Sequence, residues 1–137
     1  MPLDWGALIP LWFMRAPAVV VTPCRARPNI EHVRAGAALA LATGRRRVAL
    51  IASADHGHAH DASGPYGFDP AAAEYDRLFQ ELLPSGDFRP LAGLVAAAKA
   101  DSLWQLLVLQ GAIGDRRLEL LTYAAPTYYG MAVAIST

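Results

Sequence analysis

"RRRVALIASADHGHAHD", Arg45–Asp61, passes from three arginines through an unbroken apolar run into three histidines at alternate positions between two aspartates. The apolar run has the length and β-branched content of a buried strand. Upstream, "AVVVT", Ala18–Thr22, is a second such run, bounded by Pro17 and Pro23. Between the two, Asn29 stands where a helix cap is expected after Pro28. Ile30, Val33, Ala37 and Leu41 then keep a helical spacing until Gly44. Strand, helix and strand in that order predict a βαβ unit, with a parallel pair and a right-handed crossover. The fold class expected is therefore α/β, a βαβ-containing sheet flanked by helices.

The rest of the chain continues the alternation. Asp69 and Pro70 suit the N-cap and first position of a helix running to Leu83, with Ala72, Tyr75, Phe79 and Leu82 on one face. Pro84–Asp87 reads as a loop. A third helix carries Leu91, Leu94, Val95 and Ala98, and a fourth starts at Asp101 or Ser102 and reaches about Ala112. "RRLELLTYAA" and "GMAVAIS" read as two closing strands around a turn at Pro126.

At 137 residues the size is that of one domain, 1–137. Twelve basic residues balance twelve acidic ones, so no net field draws the chain to nucleic acid or an anionic membrane. The first residues carry Asp4 and no basic region, a poor signal peptide. "LWQLLVLQGAI" is about half a membrane span. A single cysteine, Cys24, excludes an internal disulfide framework and reads as a small buried apolar residue. A soluble, cytoplasmic protein is expected.

The histidines follow the C-terminal end of a predicted strand, where side chains of α/β proteins converge on a ligand crevice. The loop Asp55–Phe68, about fourteen residues, is longer than ordinary strand-to-helix connections, and such loops are more often functional. It holds His56, His58 and His60, leaving only His32 elsewhere. At most one or two of the three are expected to face a single site. His58 follows Gly57, whose backbone freedom permits a sharp redirection. "HGHAHD" has a partial likeness to the metal-binding run of metallo-β-lactamase-like hydrolases. Its last pair is inverted, however, and no histidine follows to complete two metal shells.

Four segments together resemble the C-terminal half of class III extradiol dioxygenases, the family of the protocatechuate 4,5-dioxygenase catalytic subunit, with Memo-type relatives. They are "LDWGALIPLWFM", "VALIASADHGH", "DSLWQLLVLQGAI" and "TYAAPTYYGMAVA", in family order. The resemblance implies half of a full-length family domain. It also implies cleavage of catecholic diols with O2 at a non-haem Fe(II) held by two histidines and one carboxylate. By the same resemblance His58, preceded by Ser53 and Asp55, matches the acid/base histidine, work suited to an imidazole that titrates near neutrality. Asp101 is near the carboxylate position, with helix capping as its alternative role. Tyr123, Tyr128 and Tyr129 are candidates to line a ring pocket, with packing as the alternative, and His60 is a further candidate substrate contact. His56 and His60 have no family counterpart. Trp5 stands where the family carries a histidine, and an indole cannot exchange a proton at neutral pH.

Because the two iron histidines belong to the family's other half, the chain is expected to act as a homo-oligomer or with a complementary N-terminal-half subunit, and to hold no iron by itself. The alternative is a non-catalytic binding or assembly module on the same scaffold. Trp12 and Phe13 are expected in a core or an interface, and Arg45–Arg47 in a solvated connection.

Overall fold

The computed structural model describes residues 3–14 and 16–137. Its elements are helices α1 (Trp5–Phe13), α2 (Asn29–Thr43), α3 (Ala71–Leu82), α4 (Val95–Ala98) and α5 (Leu103–Ile113). A 3₁₀ turn, Arg89–Gly93, precedes α4, and strands β1 (Leu118–Ala124) and β2 (Met131–Ser136) close the chain. The architecture is mixed α/β, as the alternating pattern predicts.

Local chemistry explains most boundaries. Asp4 caps α1, its Oδ1 accepting from the Ala7 amide at 3.0 Å. Asp69 serves α3 in the same way through Ala71 N at 2.9 Å, one residue later than the spacing suggests because Pro70 lies before the first full turn. Gly44 and Gly114, with φ of 57° and 59°, end α2 and α5. The third predicted helix is instead two pieces, the 3₁₀ turn and α4, meeting at Leu94.

The sheet differs from the βαβ expectation. Its ladder is the antiparallel hairpin β1–β2, pairing Leu118 with Ser136 and Ala124 with Met131, with one irregularity between Leu120 and Thr122. Ala18–Thr22 and Val48–Ala54 form no ladder among the described residues, and their side chains are largely exposed, Val19 at 89%. A strand needs a neighbour to hydrogen-bond, and among the described residues neither run is paired in a ladder with another segment. Helix α1 also has no buried residue, leaving Trp12 85% exposed.

The core lies between α3, the Arg89–Ala98 region, α5 and β1. Tyr75, Phe79, Phe88, Leu91, Leu103, Leu107 and Leu118 are its main members. Helix α2 crosses α5 at close quarters. A Cβ at Gly36 would overlap the Val108 carbonyl, and one at Gly111 would overlap the Val33 carbonyl. Each helix thus supplies a notch for the other's backbone, which fixes where α5, and the residues before it, sit.

Candidate functional site

Residues 56–60 form an extended bar held from both sides. The amides of His56 and His60 donate to Gly130 O (2.9 Å) and Tyr128 O (3.2 Å), and Gly130 N donates back to Gly57 O at 2.9 Å. On the opposite side His58 N donates to Ala98 O at 2.8 Å. Gly57 is present for space, not for unusual dihedrals: its φ is not positive, and a Cβ there would lie 2.8 Å from Ala72 Cα. A regular pleat would point all three histidines to one face. Each finds a different partner instead.

His56 is buried, its ring tilted by 34° against Phe79 at 4.0 Å between ring centres, with Nδ1 3.0 Å from Ser102 Oγ. Tyr75 OH shares that hydroxyl at 3.0 Å. Burial pushes the His56 pKa down to about 4 against the pull of the Asp76 and Asp55 charges, so the ring is neutral at pH 7. Burial also raises the Tyr75 phenol to about 12. His60 donates from Nε2 to Asp76 Oδ2 at 2.8 Å. It supports the loop through that bond. Cys24, expected buried, is exposed.

His58 is the histidine that lines a cavity of about 410 Å³, together with Arg25, Tyr66, Lys99, Asp101 and Trp104. Its Nδ1 donates to Lys99 O at 2.8 Å, and its Nε2 lies 3.5 Å from Asp55 Oδ2. The rings of Tyr66, Tyr128 and Tyr129 stand 5.6, 6.1 and 6.0 Å from the imidazole. Tyr123 is engaged elsewhere, donating to Asp76 Oδ2 at 2.6 Å, and burial with that carboxylate raises its pKa. Asp101 pairs with the Arg25 guanidinium, which also sits 4.6 Å over the Trp104 ring. The N-cap position of α5 is held by Ser102, not Asp101, and no side-chain cap is formed there. The "DWG" segment runs beside this region, since a Cβ on Gly6 would come 3.7 Å from Ser53 O, while Trp5 is itself exposed.

Several functional neighbours escaped the sequence reading. Asp76 is 1% exposed and accepts from Gly57 N at 2.8 Å as well as from His60 and Tyr123. A signal for it exists: it falls four residues after Ala72 on the apolar face of α3, where a carboxylate needs a partner. Arg25 is presented by a turn pinned to α2, because His32 points its two ring nitrogens at Pro28 O and Cys24 O, 3.2 and 3.1 Å away. Lys99, Tyr66 and Ser102 carry no comparable signal.

The chain matches the family of the catalytic LigB subunit of aromatic ring-opening dioxygenase over residues 1–135. The chain belongs to this family. No curated protein matches it. For a LigB-family chain, the donor set has a plain consequence. Among the described residues no three His, Cys, Asp or Glu side chains come together as metal ligands. His56, His60 and Asp101 are committed to Ser102, Asp76 and Arg25. The arrangement does not fit a self-contained centre of two histidines and one carboxylate. No helix among the described residues is long and apolar enough to cross a membrane.

Proposed function

We propose that this LigB-family chain supplies the proton-transfer side of an extradiol ring-opening site for a catecholic substrate and O2. His58 is its acid/base residue, with Asp55 beside it. The carrying observation is that His58 lines the cavity with Nδ1 already given to a carbonyl, so that Nε2 is left to exchange a proton. Asp55 Oδ2, 3.5 Å away, places negative charge where an imidazolium would form. Tyr128 and Tyr129 offer ring faces and edges against which a planar diol can stack. His60 acts through the loop, by holding Asp76. Asp101 enters as the cavity's carboxylate, held by Arg25.

On this proposal a complementary subunit docked on the exposed apolar surface would supply the two histidine ligands of a family-type iron, and a homo-oligomer would bury the same surface without adding them. That surface includes Trp5, Trp12, Phe13, Val19 and Val48. A cytoplasmic location suits the exposed Cys24 thiol. A second reading, a binding or assembly module without catalysis, draws support from Trp5 and from the absence of a ligand triplet among the described residues.

The experiment is turnover of 3,4-dihydroxybenzoate, followed by O2 uptake and by the absorbance of the ring-opened product. It is run on the chain alone and on its assembly purified from the native host. Turnover is expected in the assembly, and His58→Ala should remove it while leaving iron content unchanged. An iron-loaded assembly that turns over equally well with alanine at position 58 refutes the reading. An assembly that binds iron but turns over no diol favours the module.

A further inference from the structure

Lys99 is the only residue other than glycine with a positive φ among those described, at 53° with ψ 32°. This left-handed conformation crowds the Cβ of an L-residue and is ordinarily left to glycine or asparagine. Strain of this kind persists where the surroundings over-determine it, and it gathers at functional sites. Here its geometric effect is specific. In a continuing α-helix successive carbonyls are turned about 100° apart around the axis. The reversal at Lys99 brings two successive carbonyls onto one residue: Ala98 O takes the His58 amide and Lys99 O takes the His58 Nδ1, each at 2.8 Å.

A carbonyl can only accept, and at 2.8 Å Lys99 O is a closer acceptor than Asp55 Oδ2, 3.5 Å from Nε2, so the neutral ring keeps its proton on Nδ1. Nε2 is then the basic nitrogen. Were the ring free to take the other tautomer, Nε2 would carry a hydrogen and be unable to accept a proton from a ligand. We propose that Lys99 is a positioning residue: its left-handed backbone turns its carbonyl onto His58 Nδ1 and so assigns proton exchange to Nε2. This rests on the reading of His58 as the acid/base group. It requires the backbone of Lys99, not its ammonium group.

The test is a long-range proton–nitrogen correlation spectrum of the full chain labelled with ¹⁵N-histidine, at pH 8.5, for wild type, Lys99→Gly, Lys99→Asn and Lys99→Val. Glycine and asparagine accept the left-handed conformation, and valine opposes it. Wild type and the Gly and Asn variants should show His58 protonated at Nδ1, while the Val variant should show a mixture with the Nε2-protonated form. In an active assembly, Lys99→Val should lower kcat at least tenfold with KM changed less than twofold. In the Gly and Asn variants kcat should fall less than in the Val variant. A wild-type His58 protonated at Nε2 overturns the proposal, as does a folded Val variant with an unchanged tautomer. If the Val variant does not fold, the wild-type and Asn spectra decide in the same way. Loss of turnover in Lys99→Gly would assign the role to the ammonium group and also overturn it. A spectrum as expected together with full turnover in His58→Ala would refute the acid/base reading alone and leave the tautomer assignment standing.

Discussion

Replacing Asp76 with alanine should be among the most damaging single changes to the His58 loop. The carboxylate is 1% exposed and takes three hydrogen bonds, from Gly57 N, His60 Nε2 and Tyr123 OH. Alanine leaves those donors in a buried space without partners. Each stranded group costs about 1–3 kcal/mol. The Tyr123 donor is partly accessible and can turn to water, so a total of about 3–5 kcal/mol is expected. For a chain of 137 residues, that lowers the melting temperature by about 10–17 °C. Asp76→Asn keeps an acceptor for Gly57 N but turns an amide donor toward His60 and Tyr123, so it should lose roughly half as much. Thermal melts followed by far-UV circular dichroism, with urea titration as a check on cooperativity, measure both. The amide of Gly57 should also lose hydrogen-exchange protection in both variants, more in the alanine one. A shift under about 3 °C in Asp76→Ala, with Gly57 still protected, refutes the idea that this carboxylate anchors the loop.

Acid should destabilise the protein through His56. Its folded pKa of about 4 lies below the ordinary 6.5, so between these values the unfolded chain binds the extra proton. Stability then falls as pH drops from about 6.5 to 4, by a total of about 3 kcal/mol. Urea midpoints across that window should lose most of this slope in His56→Gln, and an unchanged slope counts against a buried neutral ring. Gly111→Ala pushes a methyl into the Val33 backbone, which cannot rotate away as a side chain would, so a loss of about 3 kcal/mol is expected in denaturant titration. A neutral effect would mean that α2 and α5 are not closely crossed. Association is expected as well. Trp5, Trp12 and Phe13 are 77%, 85% and 81% exposed, and with rings of about 150–250 Å² each they approach, with the valines of the two unpaired segments, the roughly 800 Å² per partner of a stable interface. Sedimentation velocity at micromolar concentration should show dimers or larger species. A lone monomer with little binding of a hydrophobic dye is the contrary result.

The sequence alone determined whatever depends on neighbours a few residues away. Asp69 and Gly44 mark helix ends because caps and left-handed terminators act within one turn. The alternation of apolar runs and helical spacings was enough for the α/β class, and the histidine run after an apolar segment marked a candidate site, within which the family resemblance chose His58. Tertiary structure decided the rest, because the deciding partners are remote in the chain. His56 meets Ser102 46 residues on, His58 meets Lys99 O 41 residues on, and His60 meets Asp76 16 residues on. No local spacing distinguishes three histidines that are alike until those groups arrive. Asp101 could be read as a cap from sequence, and only the approach of Arg25 showed its carboxylate to be part of an ion pair. Ala18–Thr22 and Val48–Ala54 carry strand-like sequences yet form no ladder among the described residues. Side-chain pattern expresses a preference for extended backbone, but a sheet exists only where a second backbone supplies the hydrogen bonds.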